Sequence, residues 1–154
     1  MKPYSDTNFF THTYLELPNF EQAKVLFEGC NRRNAVLLPV TWLHRLEFAN
    51  SLERLVFESR KGGQHRVTPE SAAAAHALFE ENLSSGLYVR EVVLPLMSVI
   101  ESCHRLIRRR TAKYGFRTYD CIHVASALEL GCDTFWSFDK KALQLAKLEG
   151  LKTN

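Results

Sequence analysis

The stretch TYDCIHVASALELGCDTFWSFDK, which runs from Thr118 to Lys140, predicts a helix that leads into a buried strand. The hydroxyl of Thr118 can cap this helix, which places Asp120 in the first turn, where free backbone N–H groups and the helix dipole favour an anion. Gly131 ends the helix. The i, i+3, i+4, i+7 spacing of a core-facing stripe is met by Cys121, Val124, Ala125 and Leu128.

The strand is predicted at Thr134 to Phe138, a β-prone and mostly apolar run that suits a strand covered on both faces. Asp139 follows it directly. Because open α/β sheets bind their ligands at the carboxyl ends of strands, Asp139 is a candidate functional residue. Both aspartates also have a purely structural explanation, since Asp120 can stabilise its own helix and Asp139 can cap the next one.

The rest of the chain alternates strands with helices. Within Lys2 to Phe10, a short first strand is predicted with Asp6 near its end, followed by a turn through Thr7 and Asn8. Further strands are predicted at Ala35 to Val40 and at Leu87 to Val93, and residues 151–154 can be the stub of a closing strand. Helices are predicted between them. Four or five strands in this order indicate a parallel α/β sheet, and 154 residues with 45% hydrophobic content suit a single domain, residues 1–154.

The helix that Thr41 opens carries another acidic candidate. Glu47 lies about 100° around this helix from Leu46, on an edge shared with Leu43 and Asn50, which is neither fully buried nor plainly exposed. The core stripe of the helix is predicted to consist of Trp42, Leu46, Ala49 and Val56.

Four carboxylates therefore stand out, namely Asp6, Glu47, Asp120 and Asp139. The carboxyl ends of parallel strands lie on one side of a sheet, so Asp6 and Asp139 converge if their strands are neighbours. Several carboxylates in one cleft repel each other unless hard cations neutralise them, and Mg²⁺ or Mn²⁺ takes oxygen ligands. Such a site suits phosphodiester hydrolysis, because the metal lowers the pKa of the attacking water and stabilises charge on the leaving oxygen.

Four motifs carry a resemblance to a known family: DTN after the first strand, LHRLEF around Glu47, TYDCIHVASAL and WSFDK. Together they resemble a PIN domain, in particular the VapC-like ribonuclease toxins of type II toxin–antitoxin systems, over essentially the whole chain. The resemblance implies a three-layer α/β/α fold with a central parallel sheet of four to five strands.

The resemblance also implies roles for individual residues and for partners. It makes Asp6, Glu47, Asp120 and Asp139 the catalytic residues that hold Mg²⁺ or Mn²⁺, with Asn8 and Ser137 in support. Ser137 stands where the family often has Thr, and it keeps the hydroxyl. An RNA substrate, an antitoxin partner and a homodimer are implied as well.

A basic cluster precedes the Asp120 motif and is predicted to bind RNA. Its members are Arg105, Arg108, Arg109, Arg110, Lys113 and Arg117, which Lys140 can extend. Contacts of such cations with phosphates give affinity without sequence preference. The structural alternative is a solvated helix end whose cations complement the helix dipole. The net charge of +3 is too small to decide between the two.

Other features exclude some classes of protein and leave two alternatives. The four Cys residues show no C-x-x-C pair, which indicates free thiols, and no apolar run is long enough to span a membrane, so a cytoplasmic protein is expected. Asp6 could be a haloacid-dehalogenase nucleophile, but that chemistry needs a second acid where Asn8 stands.

The alternative to a metal-dependent endoribonuclease is a catalytically silent PIN-like module that binds RNA or a partner. His123 could contact a ligand or be a structural, hydrogen-bonded histidine.

Overall fold

The structure is a computed structural model of the chain. It describes residues 1–154 apart from the side chain of Arg32. Strands lie at Pro3–Ser5 (β1), Leu38–Val40 (β2), Val89–Glu91 (β3), Thr134–Trp136 (β4) and Lys152–Thr153 (β5). Helices lie at Thr7–Tyr14 (α1), Phe20–Gly29 (α2), Trp42–Arg60 (α3), Pro69–Ser85 (α4), Leu96–Leu106 (α5), Ala112–Tyr114 (α6), Thr118–Glu129 (α7) and Lys140–Leu148 (α8), with a 3₁₀ turn at Arg32–Asn34 and a π-helical segment at Ile107–Thr111.

The five strands pair in parallel, which confirms the predicted α/β class. β4 lies between β1 and β5, and β2 pairs with β3. The pairing of residues 152–153 with residues 134–135 confirms the closing strand. Since β1 and β4 are neighbours, the residues that follow them, Asp6 and Ser137, begin on the same edge of the sheet.

The sheet is divided into three strands and two strands, which the sequence did not predict. β2 packs beside β1, but its hydrogen bonds go to the β3 side, where the N–H of Leu38 donates to the carbonyl of Tyr88 across 3.0 Å. Neighbouring residues of a strand point their backbone groups to opposite sides, so Pro39 faces β1 and has no N–H to donate. On the β1 side, the carbonyl of Ser5 accepts a hydrogen bond from Nε2 of His44 across 2.8 Å.

Two hydrophobic clusters cover the two faces of the sheet. Successive residues of β4 show the division, because side chains of a strand alternate between faces. Phe135 packs with residues of α5, α7 and α8, whereas Trp136 packs with residues of α1 to α4. The predicted three-layer α/β/α arrangement is thus confirmed.

The buried face of α3 differs from the predicted stripe. Trp42 and Leu46 are 48% and 64% exposed, so their assignment to the core was wrong. The helix instead buries Leu43, His44, Phe48, Leu52 and Val56. To bury the predicted stripe, the helix would have to turn about its own axis by roughly 100°, the angle between consecutive residues. Trp42 and Leu46 instead lie on the surface that leads to Glu47.

The turn predicted through Thr7 and Asn8 was wrong, because both residues lie in the first turn of α1, which Asp6 caps. The long helix that follows Pro95 runs through α5, the π-helical segment and α6, and it stops before Gly115, whose φ of +66° lies in the left-handed region. The four Cys side chains are free thiols. Within the described part of the chain, no helix combines the length and the apolar character needed to cross a bilayer.

Candidate active site

Asp6 and Asp139 come together where β1 and β4 end. Ser137 lies between them: its Oγ atom donates a hydrogen bond to Oδ2 of Asp6 across 2.6 Å and accepts one from the N–H of Asp139 across 2.8 Å. Ser137 is fully buried, so this link is protected from water. The convergence that neighbouring strands predict is present in the structure.

Each of these aspartates also caps a helix. Oδ1 of Asp6 accepts the N–H of Phe9 across 2.9 Å, at the start of α1. Oδ1 of Asp139 accepts the N–H groups of Lys141 and Ala142 across 2.7 and 3.3 Å, at the start of α8. The cap fixes one oxygen of each carboxylate, and the second oxygen is left for other contacts.

Asp120 lies in the first turn of α7, as predicted, but the predicted cap was wrong. The N-cap is Arg117, which has an extended backbone with ψ of 155°, and Thr118 is already the first helical residue. A cap needs a non-helical backbone, so Thr118 cannot fill this role. The N–H of Arg117 donates to Oδ2 of Asp120 across 3.0 Å and holds that carboxylate in place.

The side chain of Arg117 bridges Asp120 and Asp139. Its Nε and Nη2 atoms lie 3.2 and 3.0 Å from Oδ2 and Oδ1 of Asp120, and Nη2 also lies 2.6 Å from Oδ2 of Asp139. The hydrogen bonds with Asp120 and the charges of both carboxylates raise the pKa of Arg117 above its usual value. The guanidinium group is therefore a cation placed among the candidate metal ligands.

Glu47 is oriented from the opposite wall by two side chains. Its Oε2 atom accepts hydrogen bonds from Oγ1 of Thr7 across 2.8 Å and from Nε2 of His123 across 2.5 Å. Thr7 was not singled out in the sequence, because its role depends on a residue 40 positions away. His123 is buried and hydrogen-bonded, which agrees with the structural alternative for this residue.

The ring of His123 is hydrogen-bonded through both of its nitrogen atoms. Nδ1 lies 3.0 Å from the hydroxyl of Tyr4, and burial raises the pKa of Tyr4 well above its usual value, so this hydroxyl stays protonated. An ionised carboxylate can only accept, so Nε2 carries the proton of the hydrogen bond to Glu47. A chain from Tyr4 through His123 to Glu47 thus connects the core to the site.

The carboxylates differ in their proton affinity. Burial raises the pKa of Asp6 to about 6. Burial is the largest single influence on Glu47 and Asp139 and raises the pKa of both. Hydrogen bonds and the charge of Arg117 together outweigh it, so the pKa of each is lowered. Near neutral pH the site therefore carries ionised carboxylates, which is the form that binds a cation.

An open groove of about 940 Å³ passes over these residues. All four candidate acids line it, together with Asn8, Arg117 and His123. The surface of α3 forms one wall, on which Trp42 and Leu46 are exposed, and Tyr119 is 57% exposed at the start of α7. A groove of this shape, with acids inside and exposed aromatic rings beside them, can accept an extended polymer.

The donor atoms fit a hard cation, although they are not gathered around one point. Among the residues that the structure describes, no three Asp, Glu, His or Cys side chains converge closely enough to hold a metal ion. Arg117 separates Asp120 from Asp139, and His123 takes an oxygen of Glu47. Four carboxylates, with the amide of Asn8 and the hydroxyl of Ser137, nevertheless supply the oxygen ligands that Mg²⁺ and Mn²⁺ take.

The two predicted supporting residues have structural contacts of their own. Oδ1 of Asn8 accepts the N–H of Phe138 across 3.1 Å and so joins α1 to the end of β4. The amide of Asn154 pairs with the backbone of Ser137 through two hydrogen bonds of 3.0 and 3.1 Å. Both contacts hold the segment between Ser137 and Asp139.

The structure divides the basic cluster. Arg109 and Arg110 form ion pairs with Glu149, and the side chain of Glu149 is only 9% exposed. Arg105 contacts Ser102 and Glu129. The members that are exposed outside these pairs are Arg108, Lys113 and Lys140, and Arg117 is the member that lines the groove.

These features define the class: an α/β domain with a carboxylate-lined groove at the carboxyl edge of a parallel sheet. The PIN domain family model matches residues 4–148, and the chain belongs to this family. A search of curated protein sequences finds no match.

Several solved structures share the fold. VapC20 from Mycobacterium tuberculosis, a toxin described as cleaving the sarcin–ricin loop, is 16% identical with a TM-score of 0.64, over 93% of this chain and 94% of that chain. VapBC2 from Rickettsia felis, bound to a promoter DNA fragment, is 10% identical with a TM-score of 0.63, over 100% and 98%. FitAcB from Neisseria gonorrhoeae is 14% identical with a TM-score of 0.59, over 98% and 95%. At these identities the likeness shows the shared fold.

Proposed function

We propose that the protein is a metal-dependent endoribonuclease that hydrolyses phosphodiester bonds in single-stranded or looped RNA. The observation that carries this proposal is the placement of four carboxylates, far apart in the sequence, along one open groove. PIN-domain membership supports nuclease chemistry. An open groove favours unpaired RNA, whose bases can be splayed out and stacked on aromatic side chains such as Tyr119 and Trp42.

Asp6, Glu47, Asp120 and Asp139 would hold Mg²⁺ or Mn²⁺, with Asn8 and Ser137 in support. When bound, such an ion lowers the pKa of the attacking water and stabilises the charge on the leaving oxygen. The protein fixes the ligands in advance: Ser137 and the N–H of Phe9 orient Asp6, whereas Thr7 and His123 orient Glu47. Such preorganisation is what a catalytic metal site needs from its surroundings.

The test is cleavage of an RNA that contains hairpin loops, in Mn²⁺ and in chelator. A loop is a suitable substrate because VapC20, which shares this fold, is described as cleaving the sarcin–ricin loop. Asp6→Asn and Asp139→Asn should each abolish nearly all cleavage, and the double variant should lose little more, since residues that act as a unit are non-additive. Losses that multiply would count against a shared site.

A catalytically silent RNA- or partner-binding module is the second candidate. It is favoured by the pairing of Arg117 with Asp120 and Asp139, which neutralises acids that a metal would otherwise bind. The same assay separates the two, because a silent module binds the RNA and leaves it intact in Mn²⁺.

An antitoxin is the proposed protein partner. VapBC2, FitAcB and VapBC-1 from nontypeable Haemophilus influenzae are structural neighbours solved as toxin–antitoxin complexes. The exposed apolar side chains of Trp42 and Leu46 beside the groove suit an amphipathic segment of such a partner. Co-purification with the product of an adjacent gene, and its loss with Leu46→Asp, would test this.

We also propose that the protein is a homodimer and that it is located in the cytoplasm. The free thiols are those of a reducing compartment. Val93, which precedes α5, and Leu96 and Met97, at its start, are 92%, 51% and 68% exposed and form an apolar surface suited to a second copy. Light scattering that finds only monomer at micromolar concentration would remove the homodimer.

A further inference from the structure

Arg117 makes more contacts with the candidate acids than any helix cap requires. Its backbone N–H already holds Asp120, yet its side chain adds two contacts with Asp120 and one with Asp139. Capping alone needs only the backbone contact. The guanidinium therefore has a role beyond the start of α7.

The position of the guanidinium group is that of a counter-cation. Asp120 is buried, and Asp139 has one oxygen taken up by the cap of α8, so Arg117 satisfies the oxygens that remain. Without a cation between them, two neighbouring carboxylates in a partly desolvated groove repel each other. Arg117 relieves this repulsion in the metal-free protein.

We propose that Arg117 is a displaceable counter-cation: it occupies the cation position between Asp120 and Asp139, and it must release both carboxylates before they bind a divalent ion. This inference rests on the proposed metal site. It makes Arg117 the residue that sets metal affinity, because the free energy of its ion pairs is subtracted from that of metal binding.

The side chain can leave without unfolding the site. It is 65% exposed at the groove, while its backbone contact with Asp120 does not depend on the side chain. The Asp139 oxygen that caps α8 is not the one that contacts Arg117. Substitution of Arg117 therefore removes the competing cation and leaves both carboxylates oriented.

The test is the affinity for Mn²⁺, measured by electron paramagnetic resonance of the free ion. Arg117→Gln should bind Mn²⁺ about tenfold more tightly than the wild type, the effect expected when a hydrogen-bonded charge pair no longer competes. Arg90→Gln is the matched control, since it removes an equal charge from an exposed arginine of β3 outside the groove, and its affinity for Mn²⁺ should be unchanged. Equal or weaker binding by Arg117→Gln overturns the proposal.

A second measurement follows the side chain itself. The Nε–H resonance of Arg117, assigned by its loss in Arg117→Lys, should move to the position of solvent-exposed arginines as Mg²⁺ is added. An unchanged resonance at saturating Mg²⁺ would show that the guanidinium stays in place and would overturn displacement.

These results separate the inference from the proposed function. If the wild type binds Mn²⁺ and cleaves RNA but Arg117→Gln binds no more tightly, only the role of Arg117 fails. If neither protein binds Mn²⁺ at millimolar concentration, the metal site fails, and the inference fails with it.

Discussion

Nε2 of His123 donates a hydrogen bond to Oε2 of Glu47 across 2.5 Å. This contact joins a buried histidine of α7 to a half-buried carboxylate of α3, and no local sequence pattern connects the two. Since Nδ1 of the same ring is hydrogen-bonded to the hydroxyl of Tyr4, rotation of the imidazole would break both hydrogen bonds. Glu47 is therefore held by the core of the protein.

Replacement of His123 by Phe should lower RNA cleavage in saturating Mn²⁺ by about tenfold to a hundredfold, as for other residues that orient metal ligands. Phe fills a similar volume but cannot donate to Glu47. Tyr4→Phe is the control, because it removes only the hydroxyl and should cost roughly 1 kcal/mol of folding free energy with a smaller effect on cleavage. Wild-type cleavage by a folded His123→Phe protein would show that Glu47 needs no such orientation.

Substitutions of Asp139 should distinguish its role as a helix cap from its role as a metal ligand. The sequence suggests that the four acids repel each other without metal, so that Asp139→Asn should melt at or above the temperature of the wild type in chelator. The structure supports a different result, because Arg117 pairs with Asp139 and its Oδ1 atom caps α8. In chelator, Asp139→Asn should stay within about 1 kcal/mol of the wild type, since Asn is an equally good cap and an exposed ion pair contributes little.

Asp139→Ala is the matched variant, and it should lose about 1 kcal/mol more because the cap is gone. In Mn²⁺ the wild type should gain roughly 2.7 kcal/mol at a hundredfold excess over Kd, and neither variant should gain as much. Thermal melts with and without Mn²⁺ measure both effects. A full gain by Asp139→Asn would mean that Asp139 is only a cap.

Members of the basic cluster should differ in function, because some stabilise the fold and others bind RNA. Arg110→Gln should destabilise the fold by about 1–3 kcal/mol, because it leaves the nearly buried Glu149 with weaker partners. Arg108→Gln should leave the melting temperature unchanged but weaken RNA binding uniformly across sequences and reduce the salt slope by roughly 1. If Arg108→Gln binds RNA with an unchanged salt slope, the cluster is only a solvated helix end.

The order of helices and strands was predictable because it depends on the preferences of individual residues for local backbone conformations. Gly115 and Gly131 end their helices, and Pro95 precedes the start of one, each through its own backbone preference. The acids follow from the same reasoning, since Asp6 and Asp139 come directly after strands. The core face of α3 was not predictable in this way, because Leu43 and Leu46 are both apolar and only packing decides between them.

The contacts inside the site depend on long-range pairs. In the sequence, Arg117 looks like a further member of the run that contains Arg109 and Arg110. Those two pair with Glu149, about 40 residues away, whereas Arg117 turns into the groove to meet Asp139. Residues with the same charge and nearly the same position in the chain thus have different roles, which only the tertiary fold distinguishes.

His44 makes the stability of the fold depend on pH. Burial lowers the pKa of His44 to about 3, and its ring is fully enclosed. Nε2 donates to the carbonyl of Ser5 across 2.8 Å, and Nδ1 accepts the N–H of Thr41 across 3.0 Å, so the neutral ring satisfies both partners. A proton added to Nδ1 would break the second bond.

His44 takes up this proton near pH 6.5 in the unfolded chain and only near pH 3 in the folded chain. The contribution of the neutral His44 ring to the free energy of unfolding is therefore complete above pH 6.5 and decreases as the pH falls. The loss should reach about 2 kcal/mol at pH 5. The raised pKa of Asp6 changes the pH dependence of stability in the opposite direction. This contribution is present in both the wild type and His44→Gln, so it cancels when their stabilities are compared. Urea unfolding at pH 7 and pH 5 should therefore show His44→Gln less stable than the wild type at pH 7, with the gap narrowing by about that amount at pH 5. A constant gap would mean that His44 is protonated in the folded protein and that its contact with Ser5 does not require the neutral ring.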